Sequence, residues 1–288
     1  MRKLLAAISV MGAAALVITG LVAGPVAASS WPLFTRDAAV ALADIEIPAG
    51  VGVVVHTDFS ADAPLEIDGV SYRSLTLDIT PEGTVVTRNA IAGGEAHSDD
   101  GPTGECNDPT FKPLGIQWDA ESVPVLWRMD KKSVPDYLKV KKTLLTVRAA
   151  HRVWPQSRTS CSNDDKNELR YNYLGHTAKN PKYDRTNIVD FGSLPQAALA
   201  QNYTWYIGKE IVEVDLRMSS GYKWTNVEEV NRYQVLNVVT HELGHQVGLD
   251  DLSDPHAGLT MYGVIDRGEI KKASLGFGDL KGAWAVSP

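Results

Sequence analysis

Two histidines four residues apart bracket a glutamate in the stretch Thr240-His241-Glu242-Leu243-Gly244-His245-Gln246-Val247-Gly248-Leu249-Asp250-Asp251. On a helix this spacing sets His241 and His245 one turn apart on one face, where they can grip a single ion. Zinc suits such donors. It takes nitrogen, sulfur and oxygen ligands tetrahedrally, and a catalytic centre keeps one position open. A third protein ligand is then needed. Gly248 can end the helix in the left-handed conformation at little cost and turn the chain back, which returns Asp251 to the ion. Asp250, which needs a different turn, and His256 are its rivals. Glu242 is not a ligand in this scheme but the general base: it takes a proton from the attacking water and passes it to the leaving amine, while the ion polarises the scissile carbonyl. The expected reaction is peptide-bond hydrolysis without a covalent intermediate. A bare His-Glu-x-x-His also occurs by chance on solvated helices. Here the glycine, the acidic third position, the downstream Met261 and an N-terminal export signal all point away from that.

These residues must be held by elements legible in the pattern. Leu236, Val239, Leu243 and Val247 form an apolar stripe roughly opposite the histidines. The carrying helix is expected over 227–247, with Thr225 and Glu228, or Asn226 and Glu229, as a capping box. An earlier helix is expected from Val134-Pro135, capped by Ser133, to Trp154, where Pro155 stops it. Strands are expected at 123–128, 168–174, 187–191, 198–205 and 209–218. Shorter β-rich runs stand at 51–55, 65–72, 75–79 and 84–87. The fold class is α+β, a twisted mixed sheet with two long helices. Residues 29–105 form a β-rich N-terminal segment, either a small domain or a removable pro-segment, that closes in a polar linker over 93–104. Residues 106–288 form the catalytic domain.

The chain has 288 residues, 44% hydrophobic and 22% charged, which is ordinary globular usage rather than a disordered composition. A net charge of −7 argues against a nucleic-acid partner. Two cysteines are too few for a cysteine-only zinc finger or an iron–sulfur cluster. Residues 1–28 read as an export signal: Arg2 and Lys3, an apolar run, and Val26-Ala27-Ala28 before a cut after Ala28. If the signal is cleaved, the protein is secreted with no stable membrane association. The rival reading is an uncleaved anchor, and in both cases the rest of the chain faces outside. In that oxidising compartment Cys106 and Cys161 are expected to pair. The rival is a zymogen in which a Cys106 thiolate caps the metal. His56, His97, His151 and His176 lack ligand spacing and read as surface or structural. Asp99-Asp100 and Asp164-Asp165 could ligate structural calcium, but no calcium-loop pattern surrounds them.

The stretch from His241 to Asp251 resembles the metzincin zinc signature. Ser253-Asp254-Pro255 and Leu259-Thr260-Met261-Tyr262-Gly263 resemble the approach to the Met-turn of matrixin-like proteases. The resemblance implies that Met261 is a hydrophobic floor beneath the metal and that Leu275-Gly276-Phe277 begins the family's C-terminal helix. Upstream, residues 149–154 resemble the end of the first family helix. Ala198-Leu199-Ala200 resembles the edge strand that pairs with extended substrate. Most of the family carries histidine as third ligand. Asp251 at that place is similar to the snapalysin-like branch, and its charge should make the zinc a weaker Lewis acid. The expectation is a secreted zinc endopeptidase acting on proteins or peptides, with residues 262–274 shaping the pocket on the leaving-group side. The other class to weigh is a zinc-containing secreted binding protein that acts through 29–105.

Overall fold

The computed structural model describes residues 33–60, 62–92, 105–161 and 167–288. The export signal and its cleavage site, the 93–104 linker, His97 and the two acidic pairs lie outside the described residues. The N-terminal part begins with α1 (Arg36–Ala43), whose first turn is capped by Thr35 accepting from the Ala38 N–H at 3.2 Å. It continues with β1 (Gly52–Phe59), β2 (Leu65–Ile67), β3 (Val70–Ile79) and β4 (Val85–Ala92). The remainder supplies β5 (Val125–Met129), α2 (Val140–Val153), β6 (Tyr171–His176), β7 (Asn187–Gly192), β8 (Ala198–Ile207) and β9 (Glu210–Ser219). It ends with the short pair β10 (Trp224–Thr225) and β11 (Tyr233–Gln234), then α3 (Val235–Val247) and α4 (Phe277–Ala285).

The architecture is α+β. Strands β1 to β9 form one mixed sheet in the order β2-β3-β1-β8-β9-β7-β5-β6, with β4 on β3. The pairs β5–β6, β5–β7 and β7–β9 are parallel, while β8 runs antiparallel to both β9 and β1. Parallel neighbours need a crossover, and α2 fills the one between β5 and β6. Two cores follow. The larger joins Trp127, Met129, Val189, Leu216 and Met218 of the sheet to Val147 and Trp154 of the α2 region and to Val239 and Leu243 of α3. The smaller packs Ala39 and Leu42 of α1 on Val53, Val55 and Phe59 of β1, with Leu75 and Leu77 of β3 and Tyr203 and Trp205 of β8. Strand β1 serves both, because alternate residues point to opposite faces: Val54 lies in the larger core, Val53 and Val55 in the smaller. Cys106 and Cys161 form a disulfide across 55 positions. In the chain-entropy account such a loop adds about 4 kcal/mol. The pairing removes Cys106 as a thiolate cap.

Several expected boundaries shift. The run 65–72 is broken by Asp68-Gly69, both at positive φ, in a two-residue hairpin turn. Helix α2 starts at Val140 rather than Val134, because the Ser133 hydroxyl donates to the Asp130 carbonyl and accepts from the Phe191 N–H instead of capping a helix. Helix α3 starts at Val235 rather than 227. Thr225 bonds the Val227 N–H locally, and Val227 and Val230 are exposed, so nothing apolar anchors a longer helix there. Nor is α3 buried on one stripe alone: all its residues but Leu236 are buried. Finally, β8 is not an edge strand, because β1 covers the side away from β9.

Candidate metal centre

Helix α3 places His241 and His245 one turn apart and ends at Gly248, whose φ of 113° is left-handed and whose N–H returns to the Gly244 carbonyl. This turn sends Leu249 to Asp251 back beneath the histidines. The His241 Nδ1–H donates to the Thr260 carbonyl at 2.7 Å, and the His245 Nδ1–H to the Leu249 carbonyl at 2.9 Å. Both bonds turn the free lone pair to Nε2, the arrangement metal-bound imidazoles adopt. The two Nε2 atoms lie 3.2 and 3.5 Å from Asp251 Oδ1. None of these three atoms has a hydrogen-bond partner, and all three residues are buried.

Asp251 is held by what surrounds it. Its Oδ2 accepts from the Ser74 hydroxyl of β3. Its carbonyl accepts from Asn89 Nδ2 of β4 at 2.8 Å, and its N–H donates to Asp250 Oδ1. Asp250, the first rival, is otherwise engaged: it accepts from Thr76 and pairs with Lys112 at 2.8 Å. His256, the second rival, bonds Asp108 at 2.7 Å. Beneath the centre Met261 packs against Gly244, where any side chain would strike its sulfur and the Trp154 ring. The loop carrying Met261 is pinned by Asp279, which accepts from the Thr260, Met261 and Gly276 N–H groups at 2.7, 3.1 and 2.8 Å.

The site gathers buried ionisable groups. Glu242, Asp58 and Asp251 are all fully buried, and both oxygens of Glu242 and of Asp58 lack partners. Burial and the neighbouring Asp58 charge push Glu242 well above its ordinary pKa, and burial raises Asp58 as well. Burial lowers His245, and the neighbouring His56 acts in the same sense. For His241 burial acts in the same sense, but Asp58 and Asp251 outweigh it. Asp251 is held low against its burial by the facing His245 and His241. The buried Lys272 ammonium is turned toward the Thr260 and Tyr262 carbonyls. Uncompensated buried charge is costly, and a cation among His241, His245 and Asp251 would answer both the charge and the orphaned atoms. These three could hold a metal ion, each offering an atom within 4.8 Å of the others.

Two site residues escaped the sequence reading. His56, read there as structural or surface, stacks on His245 with ring centroids 3.6 Å apart. Asp58 Oδ2 stands 3.5 Å from His241 Nε2. Both come from β1, about 180 positions upstream, and no spacing could join them to the helix. His151 is structural as expected: it stacks on Trp127, and burial pushes its pKa down to about 3. Compared with models of protein families and with curated proteins, the chain matches none.

Proposed function

We propose that the protein is an exported zinc endopeptidase of the metzincin, matrixin-like type, with an aspartate in place of the third histidine ligand. The observation that carries this reading is the convergence of His241 Nε2, His245 Nε2 and Asp251 Oδ1, all buried and unpartnered, beside an equally unpartnered Glu242. Their separations suit zinc, whose bonds of about 2.0–2.1 Å spread tetrahedral ligands about 3.4 Å apart. A helix ended by Gly248, a methionine packed under the histidines and a mixed sheet backed by two helices agree with the resemblance. The disulfide suits an oxidising compartment. No helix among the described residues is long and apolar enough to cross a membrane.

A bound zinc ion would supply Lewis acidity and bring the pKa of water near neutrality. The chain's residues would do the rest. His241 and His245 would be held in the ligating tautomer by the Thr260 and Leu249 carbonyls. Glu242 would accept the proton of the attacking water and deliver it to the leaving nitrogen. The wall over 262–274 would set preference on the leaving-group side.

The test is Glu242→Gln in protein recovered from culture medium. Zinc content should stay at the wild-type level while cleavage of a denatured protein falls by about 10²–10⁴-fold. Unchanged cleavage would contradict the assignment of the base, and wild-type protein without metal would contradict the centre.

A further inference from the structure

Among the described residues Lys272 is the one lysine that is fully enclosed, at 0% exposure. Lysine almost never stays inside a protein unless its nitrogen is partnered. The carboxylate beside it is not that partner: Glu269 Oε1 stands 3.8 Å away, beyond hydrogen-bond reach, and makes no hydrogen bond. The nitrogen is turned to main chain instead. Nζ donates to the Tyr262 carbonyl and, at 3.4 Å, to the Thr260 carbonyl. The Lys272 N–H donates to Asn237 Oδ1 at 2.8 Å, and Asn237 lies one turn before His241 on α3. These bonds converge on one imidazole. The Thr260 carbonyl also accepts the His241 Nδ1–H at 2.7 Å. A carbonyl oxygen has two lone pairs, so Lys272 and His241 share one acceptor. Thr260 and Tyr262 flank Met261, which packs under the histidines at Gly244. Asp279 takes the N–H groups of Thr260 and Met261, and Lys272 takes the carbonyls of Thr260 and Tyr262. His245 is oriented by a different route. Its acceptor, the Leu249 carbonyl, lies in the turn that closes α3.

Resting on the metallopeptidase reading, we propose that Lys272 is a positioning residue for His241: it fixes the Thr260 carbonyl from within the 262–274 wall and so aims the imidazole Nε2 at the metal. The same side chain makes the pocket wall, the Met261 loop and this ligand one unit, because its N–H and its Nζ reach α3 and the loop together. An unbranched apolar side chain of similar length would fill the space and leave both carbonyls without this donor. His241 would then lose the brace behind its acceptor, while His245 would keep its own.

The experiment uses the full chain loaded with zinc and carrying isotope-labelled histidine, as wild type and as Lys272→Met. Lys272→Gln stands in should methionine prevent folding: its amide nitrogen stops a bond short of the lysine nitrogen, so the same signal should move. The readouts are metal content, the NMR signals of the His241 and His245 Nδ1–H protons, zinc affinity by chelator competition, and urea unfolding. In wild type both protons should resonate far downfield, as hydrogen-bonded imidazole protons do. In Lys272→Met the His241 signal should move upfield while the His245 signal stays, and zinc affinity should fall about tenfold, the lower end for an outer partner of a metal ligand. A His241 signal that stays in place, or that moves only together with that of His245, overturns the proposal, even where urea shows a less stable protein. So does wild-type zinc affinity in the variant. A wild type that takes up no zinc fails at the underlying metal centre instead.

Discussion

The two walls of the candidate metal centre are built differently. One is local: α3, the turn at Gly248, Asp251 and the Met261 loop all lie between Val235 and Asp279, and the bonds that orient the two imidazoles and pin the Met261 loop run between residues of that stretch. The other wall is brought from the far end of the chain. Asp58 and His56 of β1, Ser74 and Thr76 of β3 and Asn89 of β4 meet the same histidines and aspartates across some 170 positions. The local wall gathers three residues that could hold a metal ion and sets both imidazoles in the tautomer that leaves Nε2 free. The distant wall steadies Asp251 and covers the centre. A ligand set can thus be specified within a few turns of chain, while its accessibility is decided by a strand pairing that nothing nearby encodes.

This contrast makes quantitative demands. The largest falls on the local wall. Asp279→Ala leaves two buried N–H groups of the Met261 loop and that of Gly276 at the start of α4 without their acceptor, at about 1 kcal/mol or more each. Urea unfolding should show a loss of about 3 kcal/mol, with metal affinity falling as well because the Thr260 carbonyl orients His241. A loss below about 1 kcal/mol would mean that the loop is held by packing alone. The smaller demand falls on the distant wall. Ser74→Ala removes the hydroxyl that bonds the free oxygen of Asp251, and outer hydrogen bonds of this kind are worth about 10–100-fold in metal affinity. Competition with a chelator should show a drop near the lower bound, while stability changes by about 1 kcal/mol. Unaltered affinity would show that the local wall alone fixes Asp251.

The same division explains what the sequence could reveal. The His241, His245 and Asp251 cluster with Glu242 beside it, the left-handed glycine and the methionine were legible because helix periodicity and turn chemistry act over a few residues. The strands at 187–191, 198–205 and 209–218 were legible because their apolar runs are bounded by turn residues. Ser133 and Thr225 misled because the same hydroxyl that caps a helix also serves tertiary bonds and local turns. The Asp68-Gly69 turn carried a recognisable signal that the longer apolar run around it masked. The cover on β8 had no local signal: β1 reads as an ordinary buried strand, and only its register against β8 gives His56 and Asp58 their place.

The most direct test of the central claim is the metal content of the purified full chain, with His241 and His245 both replaced by alanine as the comparison. The account predicts close to one zinc ion per wild-type chain and almost none in the double variant, since structural and catalytic zinc both depend on these imidazoles. A wild type purified without metal and unable to take it up, or a double variant that binds as well as wild type, would contradict it.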